Sequence, residues 1–380
     1  MSDAAVKPQA KSQARPAVAS RSRRRVLAGA TAAGAAALVS PYANVYAQTP
    51  RKVSVTLAWL VNGSNFWPVI GRERGFFKSR GFDVEVSRGF GSGAATQSVA
   101  NGKFDFGFVF TPGIVTNAAR GLITQAVATV GYDVLMGLAV PENSPIRRAA
   151  DLDGRTVGTV LTSAESPFFN AWLNRLKVDG SKITRQNLDS QLIERALINK
   201  QVDAVTCVGT SSLPVFQSLG FDTRFFSWAA DGLDFYSGQV ITRPDTIEKD
   251  AGFVQAVVDA MIESLVFTLR NPEESIDIIT RVQPEIAAVK GGRENFALSQ
   301  QLTQSTNIAD EAIRNGIGWA DMKKLQTMAD LTLKFAVPDG KPFSAEQICT
   351  NRFVGKVRLS NADWDGVRKY TAGVRKLLTS

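Results

Sequence analysis

Two consecutive cycles of alternating strand-like and helix-like segments constrain the fold of this chain more than any other feature. In the first cycle, runs rich in β-branched and aromatic residues predict strands at 53–59, 82–86, 104–109, 123–130 and 134–140. Helices are predicted between them at 68–75, 93–102 and 111–121. Alternation of this kind is typical of a mainly parallel sheet covered by helices, so the sequence predicts an α/β fold.

The pattern breaks between residues 141 and 153 and then starts again. Pro141 and Pro145 interrupt regular structure, and a polar stretch follows them. The second cycle predicts strands at 155–160, 202–208 and 221–228, and helices at 168–177, 190–200 and 213–219. An extended segment at 236–242 can return the chain to the first unit. We therefore predict two lobes, with 48–140 and 239–335 in the first and 141–238 in the second.

The pattern after Pro244 is mostly helical, with helices predicted at 253–270, 272–281 and 320–335. Residues 336–380 contain Pro, Gly and scattered aromatics, and they predict only an extension that packs on the lobes.

The N-terminal segment has the layout of a secretory signal peptide. Arg21-Ser22-Arg23-Arg24-Arg25 precedes an uncharged stretch of 14 residues (26–39), and Val45-Tyr46-Ala47 forms a small-residue cleavage site. The twin arginine resembles a Tat address, although Sec export stays open because Val26 replaces the usual aromatic residue. The apolar stretch is too short to span a ~30 Å hydrocarbon core, and no other run appears long enough. The sequence predicts cleavage after Ala47 and a periplasmic location, with an anchoring or core helix as the alternative.

Composition excludes several classes of protein. The chain has 44 basic and 35 acidic residues, of which seven and one lie in residues 1–47, so the remainder has a net charge of only +3. With both signs interspersed, nothing indicates a nucleic-acid-binding surface. There is no histidine, which excludes Ser-His-Asp and Cys-His catalysis and His-ligated zinc. Cys207 lies in an apolar run and is predicted to be a buried, inert thiol; a disulfide with Cys349 stays open.

Several predicted helices start with Ser or Thr directly after a strand. The pairs are Ser92-Gly93, Thr111-Pro112 and Ser166-Pro167, with 211–214 as a looser fourth. Ser and Thr cap helices and Pro fits their first turn, so each pair can be an ordinary cap. Because ligands of open α/β sheets bind at the carboxyl ends of the strands, two such edges facing each other also predict a cleft for a small polar or anionic ligand. Neither GxGxxG nor GxxxxGK[ST] is present.

Aromatic and charged residues near the same edges are further candidates. Aromatic rings provide stacking area in ligand pockets but also fill cores; the candidates are Trp59, Phe66, Trp67, Phe168, Trp228 and Tyr236. Glu165, Asp231 and Asp234 are each interpreted as a solvated loop charge, with contact to a ligand amine as the alternative. No metal-ligating cluster and no cofactor are predicted.

Several blocks in order resemble a known family. The stretch 72–77 (Arg-Glu-Arg-Gly-Phe-Phe) with 81–86, the block 93–107, 151–158 (Asp-Leu-Asp-Gly-Arg-Thr-Val-Gly), 202–205 (Val-Asp-Ala-Val) and 271–275 (Asn-Pro-Glu-Glu-Ser) are similar to blocks of ABC-importer substrate-binding proteins. The branch is the one for taurine, alkanesulfonates, nitrate and thiamine-pyrimidine precursors. The likeness spans about residues 53–353.

The resemblance implies a two-lobed periplasmic-binding-protein fold of type II, with two crossings between the lobes. It further implies a monomer that closes on a small-molecule ligand and delivers it to an ABC permease. The family's cleft positions match Trp59, Asn62, Ser92, Thr111, Ser166 and Thr210; with the aromatics Phe66, Trp67 and Tyr236, these are the predicted ligand-binding residues.

The chain departs from the pyrimidine-precursor branch in two places. Ala58 stands where that branch commonly has Asp, and the loop after Trp59 has no His. The related pyrimidine synthase consumes its own His and is excluded. The ligand is expected to be a planar heterocycle, an aromatic acid or a sulfonate. Two alternatives stay open: a sensor subunit that docks on a membrane receptor, and an enzyme that uses Cys207.

Overall fold

Two five-stranded sheets organise the molecule. In the computed structural model, which describes residues 49–378, the strands are β1 (Arg51–Leu57), β2 (Phe82–Ser87), β3 (Phe106–Phe110), β4 (Gln125–Thr129), β5 (Met136–Pro141), β6 (Thr156–Thr159), β7 (Thr184–Asn187), β8 (Ala204–Val208), β9 (Thr223–Ser227) and β10 (Gly238–Thr242). The strand order is β2-β1-β3-β10-β4 in the first sheet and β7-β6-β8-β5-β9 in the second. Each sheet is the base of one lobe. The predicted signal peptide, 1–47, lies outside the described residues.

The strands that enter a sheet from the other lobe run against their neighbours. In the first sheet β1 is parallel to β2 and β3, but β10 is antiparallel to β3 and β4. In the second sheet β6 is parallel to β7 and β8, but β5 is antiparallel to β8 and β9. Strands joined by a helix must be parallel, whereas β5 and β10 arrive directly from the other sheet and are free of that constraint.

The pairing of the strands corrects one expectation and confirms another. The sequence-based lobe boundary placed 134–140 in the first lobe, but β5 pairs in the second sheet, so the chain crosses earlier, between β4 and β5. The second crossing, between β9 and β10, returns the chain to the first sheet as predicted for 236–242. Strand β7 was not predicted because Thr184–Asn187 is exposed and polar along its whole length.

The two crossings run side by side and are bonded to each other. The amide of Ser237 donates to the carbonyl of Gly131 at 2.9 Å, and the amide of Val134 donates to the carbonyl of Phe235 at 3.0 Å. The rings of Tyr132 and Tyr236 pack edge to face with their centroids 5.4 Å apart. The two connections between the lobes therefore form one paired strip.

Helices cover both sheets and make up most of the chain after β10. They are α1 (Trp67–Glu73), α2 (Ser92–Ala100), α3 (Thr111–Ala119), α4 (Phe169–Arg175), α5 (Ile193–Ile198), α6 (Gly209–Ser218), α7 (Pro244–Lys249), α8 (Ala251–Arg270), α9 (Pro272–Val282), α10 (Glu285–Ala288), α11 (Gly292–Asn307), α12 (Asp310–Asn315), α13 (Met322–Leu331), α14 (Ala345–Ile348) and α15 (Asn361–Thr371). Short 3-10 turns lie at Lys78–Arg80, Ala149–Leu152, Ser166–Phe168, Gly180–Lys182 and Arg375–Leu378, and a π-turn lies at Thr332–Ala336.

Helix α8 is the core helix of the first lobe. It begins where the Asp250 side chain accepts a hydrogen bond from the Phe253 amide, and Val257 and Val258 on it are fully buried. Among the described residues, α8 is the one helix with the length and apolarity to cross a membrane. The expectation that no such run follows the N-terminal segment was therefore wrong on length, because a core helix that is mostly buried is apolar on most of its faces.

Helices α6 and α11 join the second lobe to the helical region. Helix α6 begins at Gly209, not at 213 as predicted, and therefore contains Pro214 in its interior. Proline has no N–H to donate to the carbonyl four residues earlier, which is that of Thr210. The hydroxyl of Ser299 on α11 donates to this carbonyl at 2.7 Å instead. The contact ties α11 to the first turn of α6.

Candidate functional site

The carboxyl ends of strands from both sheets meet at a cavity between the lobes, here called the cleft cavity. It encloses about 400 Å³ of empty space, part of it open to solvent. The first lobe contributes the end of β1, the start of α2 and the end of β3; the second contributes the loop after β6, the end of β8 and the start of α6. The lining residues are Ala58, Trp59, Ser92, Phe110, Ser163, Ala164, Glu165, Ile193, Thr206, Cys207, Val208, Ser211 and Ser212.

Glu165 supplies the carboxyl group of this cavity, and its side chain is only 2% exposed. Its Oε1 lies 2.5 Å from the Ser163 hydroxyl and 3.2 Å from the Thr206 hydroxyl, while Oε2 has no hydrogen-bond partner. Burial raises the pKa of the Glu165 carboxyl above its ordinary value and outweighs these hydrogen bonds and the positive charge of Arg185. A buried acceptor without a donor costs about 1–3 kcal/mol, so Oε2 favours a ligand that donates to it.

Glu165 competes with a backbone carbonyl for the hydrogen of Ser163. The Ser163 hydroxyl contacts both the Val160 carbonyl, at 2.7 Å, and Glu165 Oε1. It has one hydrogen, and the Val160 carbonyl can only accept it. The hydroxyl therefore donates to one of these two oxygens at a time. The raised pKa of the Glu165 carboxyl reflects its burial, and its Oε2 stays without a hydrogen-bond donor.

Cys207 also lines the cleft cavity, with its side chain 3% exposed. Burial raises the pKa of the Cys207 thiol well above its ordinary value, and the nearby carboxyls of Glu165 and Glu194 raise it further. Reactive cysteines need the reverse, a pKa lowered by a cation or a helix N-terminus. Cys349 is buried elsewhere, and both thiols are free, as the sequence allowed.

A second, smaller cavity shares Phe110 with the cleft cavity and is here called the inner cavity. It encloses about 310 Å³ and is lined by Ser64, Trp67, Phe108, Phe110, Val130, Gly131, Thr210, Ser237, Gly238, Leu265, Thr303, Thr306 and Asn307. The Trp67 ring packs edge to face on Phe108 with the centroids 4.8 Å apart. Since Phe110 lines both cavities, they are neighbours.

The two lobes touch at the rim of the cleft. The Asn62 amide donates to the Ser211 hydroxyl at 3.3 Å, and the Thr162 hydroxyl donates to the Phe90 carbonyl. On the same side, Gly91 has a φ of +118°, and a Cβ added to it would lie 2.0 Å from the Thr162 carbonyl oxygen. The close approach of the two backbones therefore requires glycine at position 91.

The structure brings five of the nine predicted ligand-binding residues to cavities. Trp59 and Ser92 line the cleft cavity, and Trp67 and Thr210 line the inner cavity. Asn62 lies beside Trp59 in an outer groove between the lobes. In the cleft cavity the Trp59 side chain is half-buried, and the Ser92 hydroxyl accepts a hydrogen bond from the Phe110 amide at 3.1 Å.

The other four lie in the interior and line neither cavity. Phe66 packs on Phe296 with the ring centroids 4.8 Å apart. The Thr111 hydroxyl donates to Gln239 at 2.9 Å. Ser166 accepts from the guanidinium of Arg185 at 3.3 Å, and the Tyr236 hydroxyl bonds to Glu311 at 3.1 Å. These are structural contacts, so the cap and aromatic patterns alone did not distinguish interior positions from cleft positions.

Of the other candidates, Phe168 and Trp228 are fully buried. Asp231 accepts from the indole N–H of Trp172 at 2.7 Å, so it supports the core of the second lobe. The interpretation of Glu165 as a solvated loop charge was wrong, since the loop after β6 folds this side chain into the cavity wall. The nearest sequence signal is the Ser166-Pro167 pair beside it, which marks a strand end at the cleft.

The fold and site together define a class. Two α/β lobes joined by two crossings, with a cleft at their facing strand ends and a helical C-terminal region, form the periplasmic-binding-protein fold. The model of the NMT1/THI5-like family matches residues 65–275. The chain therefore belongs to the NMT1/THI5-like family.

Two curated relatives are similar in sequence. A putative thiamine biosynthesis protein of Haemophilus influenzae is 25% identical over 155 residues, which cover 41% of this chain and 49% of the relative. The chain thus spans about half the length of that relative. The riboflavin-binding protein RibY of Chloroflexus aurantiacus is 23% identical over 331 residues, 85% of this chain and 92% of the relative.

Two solved structures share the fold. The alkanesulfonate-binding protein SsuA of Xanthomonas axonopodis pv. citri, bound to MOPS, has a TM-score of 0.59 at 16% identity, with 76% of this chain and 94% of SsuA covered. The periplasmic nitrate-binding protein NrtA of Synechocystis PCC 6803 has a TM-score of 0.55 at 15% identity, with 86% and 90% covered.

Proposed function

We propose that this protein is a periplasmic solute-binding protein that closes on a small heterocycle with an N–H donor and delivers it to an ABC importer. The observation that carries the proposal is the position of Glu165. Its Oε2 is buried in the cleft wall without a donor, next to the half-buried ring of Trp59. A planar ring can stack on Trp59 while an N–H on its edge donates to Oε2.

The charge of the cleft supports a neutral or cationic ligand over an anionic one. Neither Lys nor Arg is present among the residues that line the cleft cavity and the inner cavity. An aromatic acid or a sulfonate would lie beside the Glu165 carboxyl with no Lys or Arg in the cavity wall to bind its charge. Of the three ligand classes expected from the sequence, the heterocycle is the one we retain. RibY, whose ligand is riboflavin, offers one candidate ring system.

Binding is favoured over catalysis by the state of the Cys207 thiol. A nucleophile would need a thiolate, and the pKa of Cys207 is shifted in the opposite direction. We therefore expect Cys207→Ser to leave ligand binding unchanged, and loss of binding in that variant would restore the enzyme alternative.

Thermal unfolding with a ligand panel tests the proposal. The panel contains 4-amino-2-methylpyrimidine and lumichrome as N–H heterocycles, and taurine and benzoate as anions. A ligand at about 100 times its Kd adds about 2.7 kcal/mol to the stability, which raises the Tm by several degrees. We expect a heterocycle to raise the Tm and the anions to leave it unchanged.

The Glu165→Gln variant identifies the group responsible. The carboxamide keeps the shape of the side chain but turns an N–H toward the ligand's N–H, so affinity should fall roughly 10- to 100-fold. Glu85→Gln, an exposed change on β2, is the matched control. A shift produced by the anions alone, or full affinity in Glu165→Gln, would contradict the proposal.

A further inference from the structure

Two residues that line the inner cavity each have a buried polar atom without a partner. Asn307, 3% exposed, donates its amide N–H to the Val130 carbonyl, which leaves its Oδ1 without a donor. Thr210, 4% exposed, has a hydroxyl with no partner. Both residues line the cavity. Each orphaned atom costs about 1–3 kcal/mol, so the pair favours an occupant that bonds to both.

The other threonines of this cavity behave differently. Thr303 donates its hydroxyl to the Ser299 carbonyl and Thr306 donates to the Thr303 carbonyl, both at 2.8 Å within α11. Their hydroxyls are satisfied by the helix itself. In contrast to these two threonines, Thr210 and Asn307 each keep a polar atom without a hydrogen-bond partner.

The two atoms suit a hydroxyl group in chemical terms. A hydroxyl donates one hydrogen, which Asn307 Oδ1 accepts, and it accepts one from the Thr210 hydroxyl. The remaining walls include Trp67, Phe108 and Leu265, and no ionisable side chain lines the cavity. The cavity therefore favours a neutral, hydroxylated group with an apolar attachment.

The first turn of α6 connects the inner cavity to the cleft cavity. Thr210 faces the inner cavity, whereas Ser211 and Ser212, the next two residues, line the cleft cavity. We propose that the inner cavity is a second subsite, which binds a hydroxyl-bearing arm of the same ligand whose N–H donor bonds to Glu165. This inference rests on the proposed function.

Matched pairs of compounds test the subsite by calorimetry on the purified protein. Riboflavin and lumiflavin share the isoalloxazine ring system and differ in the N10 substituent, which is a hydroxylated chain in riboflavin and a methyl group in lumiflavin. 4-Amino-5-hydroxymethyl-2-methylpyrimidine and 4-amino-2,5-dimethylpyrimidine differ by one hydroxyl. We expect the hydroxylated member of at least one pair to bind roughly tenfold more tightly, the effect of one or two net hydrogen bonds.

Variants show which residues provide the preference. Thr210→Val and Asn307→Leu should each reduce the affinity ratio of the pair toward one. Thr268→Val is the control, because Thr268 is equally buried but donates its hydroxyl to the Ser264 carbonyl and lines neither cavity. If Asn307→Leu does not fold, Thr210→Val is sufficient for the test, because valine has nearly the same shape as threonine.

The outcomes separate the subsite from the proposed function. Equal affinities within both pairs, or a preference that survives Thr210→Val, overturns the subsite but leaves the proposed function standing; the cavity then holds only water. If no heterocycle binds the unmodified protein, the proposed function fails and the subsite fails with it.

Discussion

The hydroxyl of Ser299 donates a 2.7 Å hydrogen bond to the carbonyl of Thr210, the acceptor that Pro214 leaves without a donor inside α6. Ser299, in the helical region, thus replaces the backbone hydrogen bond that is missing from α6 in the second lobe. The repaired turn contains Thr210 and precedes Ser211 and Ser212, so it borders both cavities. The contact holds the cleft wall in place.

We expect Ser299→Ala to lower the free energy of unfolding by about 1–2 kcal/mol, because it leaves the buried Thr210 carbonyl without a donor. Ser305→Ala is the control, since Ser305 donates to the Leu302 carbonyl of its own helix. Urea unfolding measures both variants.

A double-mutant cycle sharpens this prediction. Pro214→Ala restores the N–H that reaches the Thr210 carbonyl, so Ser299→Ala should cost less in that background than in the parent. Equal costs in the two backgrounds would show that the hydroxyl stabilises α11 in some other way.

The buried Glu165 should make the protein without ligand less stable as the pH rises. Its folded-state pKa is raised above the unfolded value of about 4.3, so the folded state binds more protons between the two values. Stability therefore falls as the pH rises from the unfolded to the folded pKa and is level above it. Glu165→Gln removes this fall, and the variant should be more stable than the parent at pH 7.5 but not at pH 4.

Denaturant midpoints measured from pH 4 to 8 check this, with Glu85→Gln as the exposed control. A parent and a Glu165→Gln variant with parallel pH profiles would show that the carboxyl stays ionised in the cavity. The expected pattern, higher stability with weaker ligand binding, would show that the acid is retained for binding at the expense of stability.

Asp363 should have the opposite effect to Glu165, because its contribution to the free energy of unfolding is lost as the pH falls. Arg270 bonds to both of its carboxylate oxygens at 2.9 Å, and together with Ser360 it holds the pKa of Asp363 far below the ordinary value. The stabilisation is present above the unfolded pKa of about 3.9 and fades as the pH falls below it.

We accordingly expect Asp363→Asn to destabilise the protein at pH 7 and to destabilise it less at pH 2.5, as measured by thermal unfolding. Asp365→Asn, which removes an exposed pair with Arg368 on the same helix, is the control and should be nearly neutral. An identical loss at both pH values would mean that the side chain acts through packing and not through charge.

Gly91 should set how closely the lobes approach. In Gly91→Ala the added Cβ meets the Thr162 carbonyl oxygen at 2.0 Å, so the lobes must separate and the ligand must lose contacts with one of them. We expect weaker ligand binding and a larger radius of gyration for the ligand-bound protein in small-angle scattering.

Gly154→Ala is the control for backbone strain, because Gly154 also has a positive φ, +72°, but nothing lies within 4 Å of an added Cβ. If both variants lose stability and affinity equally, the effect at position 91 is conformational strain and not contact between the lobes.

The alternation of strands and helices predicted the architecture well because it reflects burial, which decides the fold of each lobe. Local patterns also located β10 and the start of α9 at Pro272. Helix α11 was not predicted, because several residues that it buries are polar, among them Ser299, Gln300 and Gln304. A polar buried face gives no hydrophobic periodicity to detect.

The candidate site was only partly predictable for a related reason. Caps and aromatic residues mark strand ends, but Thr111 and Thr210 have the same local pattern, and only tertiary contacts decide that one hydroxyl reaches Gln239 while the other faces a cavity. Glu165 was misjudged because a lone acid in a loop is usually hydrated. Its burial depends on how the loop after β6 packs on Thr206.

The two hydrogen-bonded crossings between the lobes have the arrangement of a single hinge. Tyr132 and Tyr236 pack the two crossings against each other. The lobes are therefore joined at one place and not by two independent linkers. A ligand bound between the lobes then sets the angle between them, and its size determines that angle wherever in the cleft it binds. Under the proposed function, a membrane partner that contacts the outer surfaces of both lobes needs to sense only this angle, without any contact with the ligand itself.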